Sequence, residues 1–197
     1  MYPFNPKMGQ KIQSNAAGVV CDRGFIAHFH LSDSENDTAA TDGIIGYVTL
    51  ADGETTTKAA VTLDHQPLCA RVLSVTGNGA TATGDVVITG KDIAGATITE
   101  TIASTGAGTV LGTKAFAFVD SVVFPARTAE ADAIKVGTSD KFGIPYLLPY
   151  NTVLAIYNNK TATTVAAGSF SETTLCLNHL DPTAALGGSD IDVYLIV

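Results

Sequence analysis

The chain has 197 residues, of which 46% are hydrophobic and 15% charged, a balance that excludes a disordered polypeptide and suffices for one domain with its own core. Nineteen acidic residues against eleven basic ones give a net charge of −8, and no segment is rich in Lys or Arg. Phosphate surfaces are bound by clustered cations, so nucleic acid and anionic membranes are not expected partners.

Residues 1–20 carry Pro3 and Pro6 and show almost no periodicity, which predicts an extended N-terminal arm. Tyr2 and Phe4 add aromatic side chains of the kind that anchor an arm on a neighbouring subunit, so Tyr2, Pro3, Phe4 and Pro6 are the candidate interface residues. The N-terminus lacks the apolar core of a signal peptide, and no run approaches the roughly 20 apolar residues of a membrane helix. The expectation is a chain made in the cytoplasm.

From residue 21 to 197 the texture is that of a single β domain. FIAHFHL (25–31) alternates, and IIGYVTL (44–50) and KAAVTL (58–63) flank an Asp52-Gly53 turn that predicts a hairpin. CARVLSV (69–75) precedes a Gly-Asn-Gly turn, and DVVITG (85–90) with ATITETI (96–102) predicts a second hairpin across Gly-Lys-Asp-Ile-Ala-Gly. KAFAFVDSVVF (114–124) reads as one strand, followed by a helical turn in ARTAEADAI (126–134). AIKVG (133–137), TVLAIYN (152–158), TTLCLNH (173–179) and DIDVYLIV (190–197) complete the strands, with a long loop over 138–151. Thr and Val dominate these runs, turns recur every eight to twelve residues or so, and no segment sustains a helical period. The fold expected is all-β, an antiparallel sandwich or barrel-like core.

The chemistry-bearing residues give little purchase. Cys21, Cys69 and Cys176 are odd in number with no C-x-x-C pair, which points to free thiols, although one bridge stays open. His28 and His30, two apart on a strand, share a face and could supply half of a metal site, with Asp33 or His65 as further ligands; solvent-facing or interface histidines are the reading preferred, and no metal is assigned. Asp22, Asp64, Asp120 and Glu100 form no recognisable acid–base pair, and Glu100 is expected among threonines on the outer face. GSFSE (168–172) lacks the nucleophile-elbow pattern, and the Gly-Asn-Gly and Gly-Ala-Gly pieces precede no helix, so they read as hairpin turns rather than phosphate cradles. Tyr146 and Tyr150 offer stacking surfaces for a sugar, but Trp, the best such platform, is absent. No enzyme activity, catalytic residue or cofactor is expected.

One stretch of about 80 residues, 65–145, carries a recognisable pattern: Thr89-Gly90-Lys91-Asp92, Gly95 to Ile102, Gly112 to Phe116, Ser121 to Ala126 and Val136 to Pro145. It resembles a group of small structural proteins of tailed bacteriophages. The resemblance implies a virion component with a β-sandwich core, first of all a head decoration (cement) protein that binds the major capsid protein as a homo-oligomer, with a trimer favoured. The virion, assembled in the host cytoplasm, is then the expected location. Residues 1–64 and 146–197 lie outside the pattern. Head–tail connector, tail protein and receptor- or carbohydrate-binding module are the alternatives.

Overall fold

The computed structural model describes residues 12–13, 20–21, 24–126 and 129–197. The candidate arm residues Tyr2, Pro3, Phe4 and Pro6 lie outside them. Among the described residues the fold is all-β and antiparallel, with a curled, half-barrel outline and only two single-turn 3-10 helices, Ala60–Thr62 and Leu175–Leu177. No helix among them is long and apolar enough to cross a membrane.

Two short strands, β1 (Ile12–Gln13) and β2 (Val20–Cys21), pair with each other inside and just beyond the predicted arm. Next come β3 (Ile26–Leu31), β4 (Ile45–Thr49) and β5 (Thr56–Ala59). A central run follows: β6 (Arg71–Gly77), β7 (Thr83–Lys91), β8 (Thr97–Thr105), β9 (Thr109–Phe116), β10 (Phe118–Phe124) and β11 (Ala133–Gly143). The chain finishes with β12 (Val153–Asn158), β13 (Thr161–Thr163), β14 (Val165–Ser169), β15 (His179–Pro182) and β16 (Ile191–Ile196).

Three larger sheets result. The outer sheet runs β5-β10-β7-β8, the central sheet β14-β15-β11-β6-β9 with β4 also on β11, and the terminal sheet β13-β12-β16-β3. Alternating apolar residues bury one face of the outer sheet on the central one, where Val86, Ile88, Ile102, Val122 and Phe124 meet Leu73, Val75, Phe116, Ile134 and Val136. A second core, with Phe142, Leu180, Ile156, Val193 and Leu195, joins the far end of the central sheet to the terminal sheet. β11 supports both cores: its first residues pair with β4, its last with β15, and β6 runs along its other edge.

The 85–102 hairpin forms as predicted, paired from Thr83↔Thr105 to Lys91↔Thr97. Asp92 shapes its turn, its Oδ1 accepting the backbone N–H of Ala94 and Ala96, both at 2.9 Å. Other expectations need correction. The Asp52-Gly53 turn is real, with Gly53 at φ +68°, but the strands beside it do not form a hairpin: β4 joins β11 and β5 joins β10. KAFAFVDSVVF is two strands in two sheets, broken at Ala117, whose N–H turns aside to the Lys91 carbonyl at 2.8 Å. The Gly-Asn-Gly and Gly-Ala-Gly turns are likewise corners between sheets rather than hairpin tips, and they rest on each other through Gly77 N–H to the Gly106 carbonyl, 2.9 Å.

Residues 138–143 of the expected loop continue β11, leaving the irregular stretch to begin after Gly143. TTLCLNH is not a strand before His179 and centres on the 3-10 turn Leu175–Leu177, because Asn178 folds its side chain back onto the Ser171 and Thr174 carbonyls and so competes with a ladder. In 126–134 no helix forms among the described residues; Asp132 closes a turn by accepting Ala129 N–H at 2.8 Å, and β11 starts at Ala133.

Candidate functional site

The terminal sheet presents its open face through β3 and β16. Their register sets Ile26 opposite Ile196, His28 opposite Tyr194 and His30 opposite Asp192. With a side-chain period of two, these six residues share one face while Ile191, Val193 and Leu195 enter the second core. The face is solvent-accessible: the His28, His30 and Asp192 side chains are 48%, 45% and 23% exposed. Both histidines are exposed in the isolated chain, which is compatible with a solvent-facing or an interface role.

A single carboxylate oxygen organises the centre of that face. Asp192 Oδ1 accepts from His28 Nε2 at 2.7 Å and from His30 Nδ1 at 2.9 Å. The His28 hydrogen bond above all, with that of His30 and the charge of both rings, holds the Asp192 carboxyl below the usual carboxylate range, against the opposing effect of desolvation. The His28 ring stacks flat on Tyr194, centroids 4.6 Å apart and planes 4° apart, and Tyr157 meets Tyr194 edge-on at 6.2 Å. The ligand-capable atoms of His28, His30 and Asp192 all lie within 4.8 Å of one another.

Neither of the ligands expected to complete such a group does so. Among the described residues the donor group holds His28, His30 and Asp192 alone, and Asp33 and His65 lie outside it. The third member, Asp192, was missed because it enters from the other end of the chain. The signal for it was the alternation of DIDVYLIV, which places Asp192 outward, but which strand lies beside β3 is a long-range fact. At one end of the same face, Ile26 (68% exposed) lies opposite Ile196 (39% exposed), and the two form an apolar margin.

The other sequence candidates are built into the fabric. Glu100 is buried, a correction to its expected outward position: period two sets it with Ile98 and Ile102, not with the threonines. β9 is the edge of the central sheet, and the Glu100 carboxylate serves it by accepting Thr113 N–H at 2.6 Å, the Thr113 hydroxyl at 2.8 Å and Lys114 N–H at 3.3 Å. Lys114 Nζ answers by donating to the Thr99 carbonyl at 2.7 Å, so side chains clamp β8 to β9 where no ladder joins them. A Cβ at Gly112 would stand 2.6 Å from Glu100 Oε2, so a side chain there would displace the carboxylate from its present bonds. At Gly90, one would stand 2.1 Å from the Phe118 carbonyl.

Cys69 and Cys176 are free thiols. Burial pushes Cys69 up to about 11 and raises Cys176, so both stay protonated at neutral pH and pack as apolar groups. Cys21 falls in β2 and Asp22 lies outside the described residues. Asp64 accepts Gly46 N–H at 2.8 Å. It also lines a cleft of about 410 Å³ with Asp42, His65 and Arg71. Arg71 is fully buried and donates to the Ser139 and Asp37 carbonyls, tying the segment before β4 onto β11. Tyr146 packs against the second core, whereas Tyr150 is exposed. Comparison with protein-family models, with curated proteins and with solved structures returns no match to this chain.

Proposed function

We propose that the chain is a structural protein of a tailed-bacteriophage virion, a capsid decoration protein that sits on the major capsid lattice as a homotrimer. The observation that carries this reading is the use made of the pattern in residues 65–145. Gly90 admits the backbone of β10, Asp92 shapes the hairpin turn, and Glu100 with Gly112, Thr113 and Lys114 closes the edge between two sheets. Residues so employed make a stiff scaffold, which is what a cement protein needs. The apolar margin of Ile26 and Ile196 supplies surface of the kind that protein interfaces cover.

The test is reconstitution. Recombinant protein added to capsids that lack it should co-sediment at saturating, fixed stoichiometry, and light scattering should give the mass of three chains. Replacing Ile26 and Ile196 together by Ser should weaken capsid binding about tenfold while the fold is kept. Absence of the chain from purified particles of the phage that encodes it would overturn the proposal.

A further inference from the structure

We propose that His28, His30 and Asp192 form a binding site for one divalent transition-metal ion of the zinc class on the open face of the terminal sheet. The site stands on its own geometry and does not depend on the virion reading.

The donor set is two imidazole nitrogens and one carboxylate oxygen, brought together from the first and last strands of one sheet. Imidazole selects Zn²⁺, Ni²⁺, Cu²⁺ or Co²⁺ over Ca²⁺ and Mg²⁺, which prefer all-oxygen shells. Metal–ligand bonds of about 2.0–2.1 Å require donor atoms roughly 3.3 Å apart in a tetrahedral shell. Here His28 Nε2 and His30 Nδ1 are 2.7 and 2.9 Å from Asp192 Oδ1, and no pair exceeds 4.8 Å. The two short distances would open by a few tenths of an ångström as the ion enters between the donors.

The proton balance is simple. Each ring now donates an N–H to Asp192; on binding, the ion takes the place of those two protons. A neutral ring moves its proton to the other nitrogen, and a charged ring releases one to solvent. The carboxylate is already ionised and already sits between the rings, so no group has to be brought in. Orientation is partly fixed in advance, because Tyr194 lies flat against His28 and Tyr157 backs Tyr194. Such support of a ligand ring is what tunes affinity at metal sites. Three protein ligands leave a tetrahedral ion one position turned to solvent, for water or a donor from a neighbouring molecule.

Tag-free protein, stripped with chelator and dialysed, is titrated with ZnCl₂ by calorimetry, and with CoCl₂ followed by visible absorption. The expected result is one ion per chain with micromolar affinity, a d–d band of low coordination number for cobalt, and a rise in Tm with zinc. His28→Ala, His30→Ala and Asp192→Asn should each weaken zinc roughly tenfold or more, and each unliganded variant should keep the Tm of the parent. His65→Ala should bind as the parent does. No saturable binding below millimolar zinc, or affinity retained in the His28→Ala/His30→Ala double variant, overturns the proposal.

Discussion

The segment from Arg71 to Phe124 and the sheet of β3, β12, β13 and β16 use their polar residues differently. In the first, the chain crosses from one sheet to the other before β7, after β8 and at Ala117, and its buried polar side chains bond to backbone: Glu100 to Thr113 and Lys114, Ser104 to the Ala82 carbonyl, Asp92 to its own turn. In the second, strands from the two ends of the chain meet, and the open face keeps its histidines, tyrosines and isoleucines for the outside. Polar groups aimed at backbone make a rigid body. Those left facing solvent are available to an ion or a partner. The terminal sheet thus turns imidazole and carboxylate groups to solvent, while the buried carboxylates of the other region stiffen its turns and edges.

That contrast can be broken in measurable ways. The largest effect should come from the first core: Phe124→Ala empties the space of a fully buried ring and should cost about 3–5 kcal/mol in urea unfolding. Because β11 belongs to both cores, the variant should still unfold in one transition. Two transitions would show the regions to be independent.

Acid should act on the far end of the central sheet, away from the β7–β8 hairpin. Burial foremost, with the Lys141 charge, pushes the buried His179 of β15 down to about 4 from 6.5, while a backbone hydrogen bond at Thr113 acts the opposite way. The folded value is the lower one, so the unfolded chain binds more protons between these limits. The stabilisation is complete above pH 6.5 and is lost as pH falls toward 4. By pH 5 the loss should be about 2 kcal/mol. Native-state hydrogen exchange should show protection falling more in β14 and β15 than in β7 and β8, and equal losses would erase the distinction.

The smallest effect should come from Glu100→Ala. It strands two backbone N–H groups at the edge of β9, which water can partly reach because Thr113 is exposed, so a cost of about 1–2 kcal/mol is expected from thermal and urea melts. A change within experimental error would mean that the side-chain clamp between β8 and β9 contributes nothing.

Local patterns were legible, and partners were not. The 85–102 hairpin could be read because alternation and a Gly-bounded turn are properties of neighbours in sequence. The break at Ala117 could not, since Ala-Phe-Ala-Phe alternates without interruption and only the Lys91 carbonyl reveals the change of sheet. TTLCLNH has the composition of a strand, and it fails as one because Asn178 finds carbonyls within its own turn. Half the candidate site followed from the spacing of His28 and His30. The other half depended on β3 lying beside β16, a contact across 162 residues that no local signal encodes.

The eleven residues of β11 have a mechanical consequence. One end of the strand is held in the first core and the other in the second. A load that tries to draw the two cores apart therefore runs along covalent backbone, while the hydrogen bonds to β6 beside it are sheared together rather than peeled one at a time. Such a strand acts as a tie-rod that holds the two cores together under load.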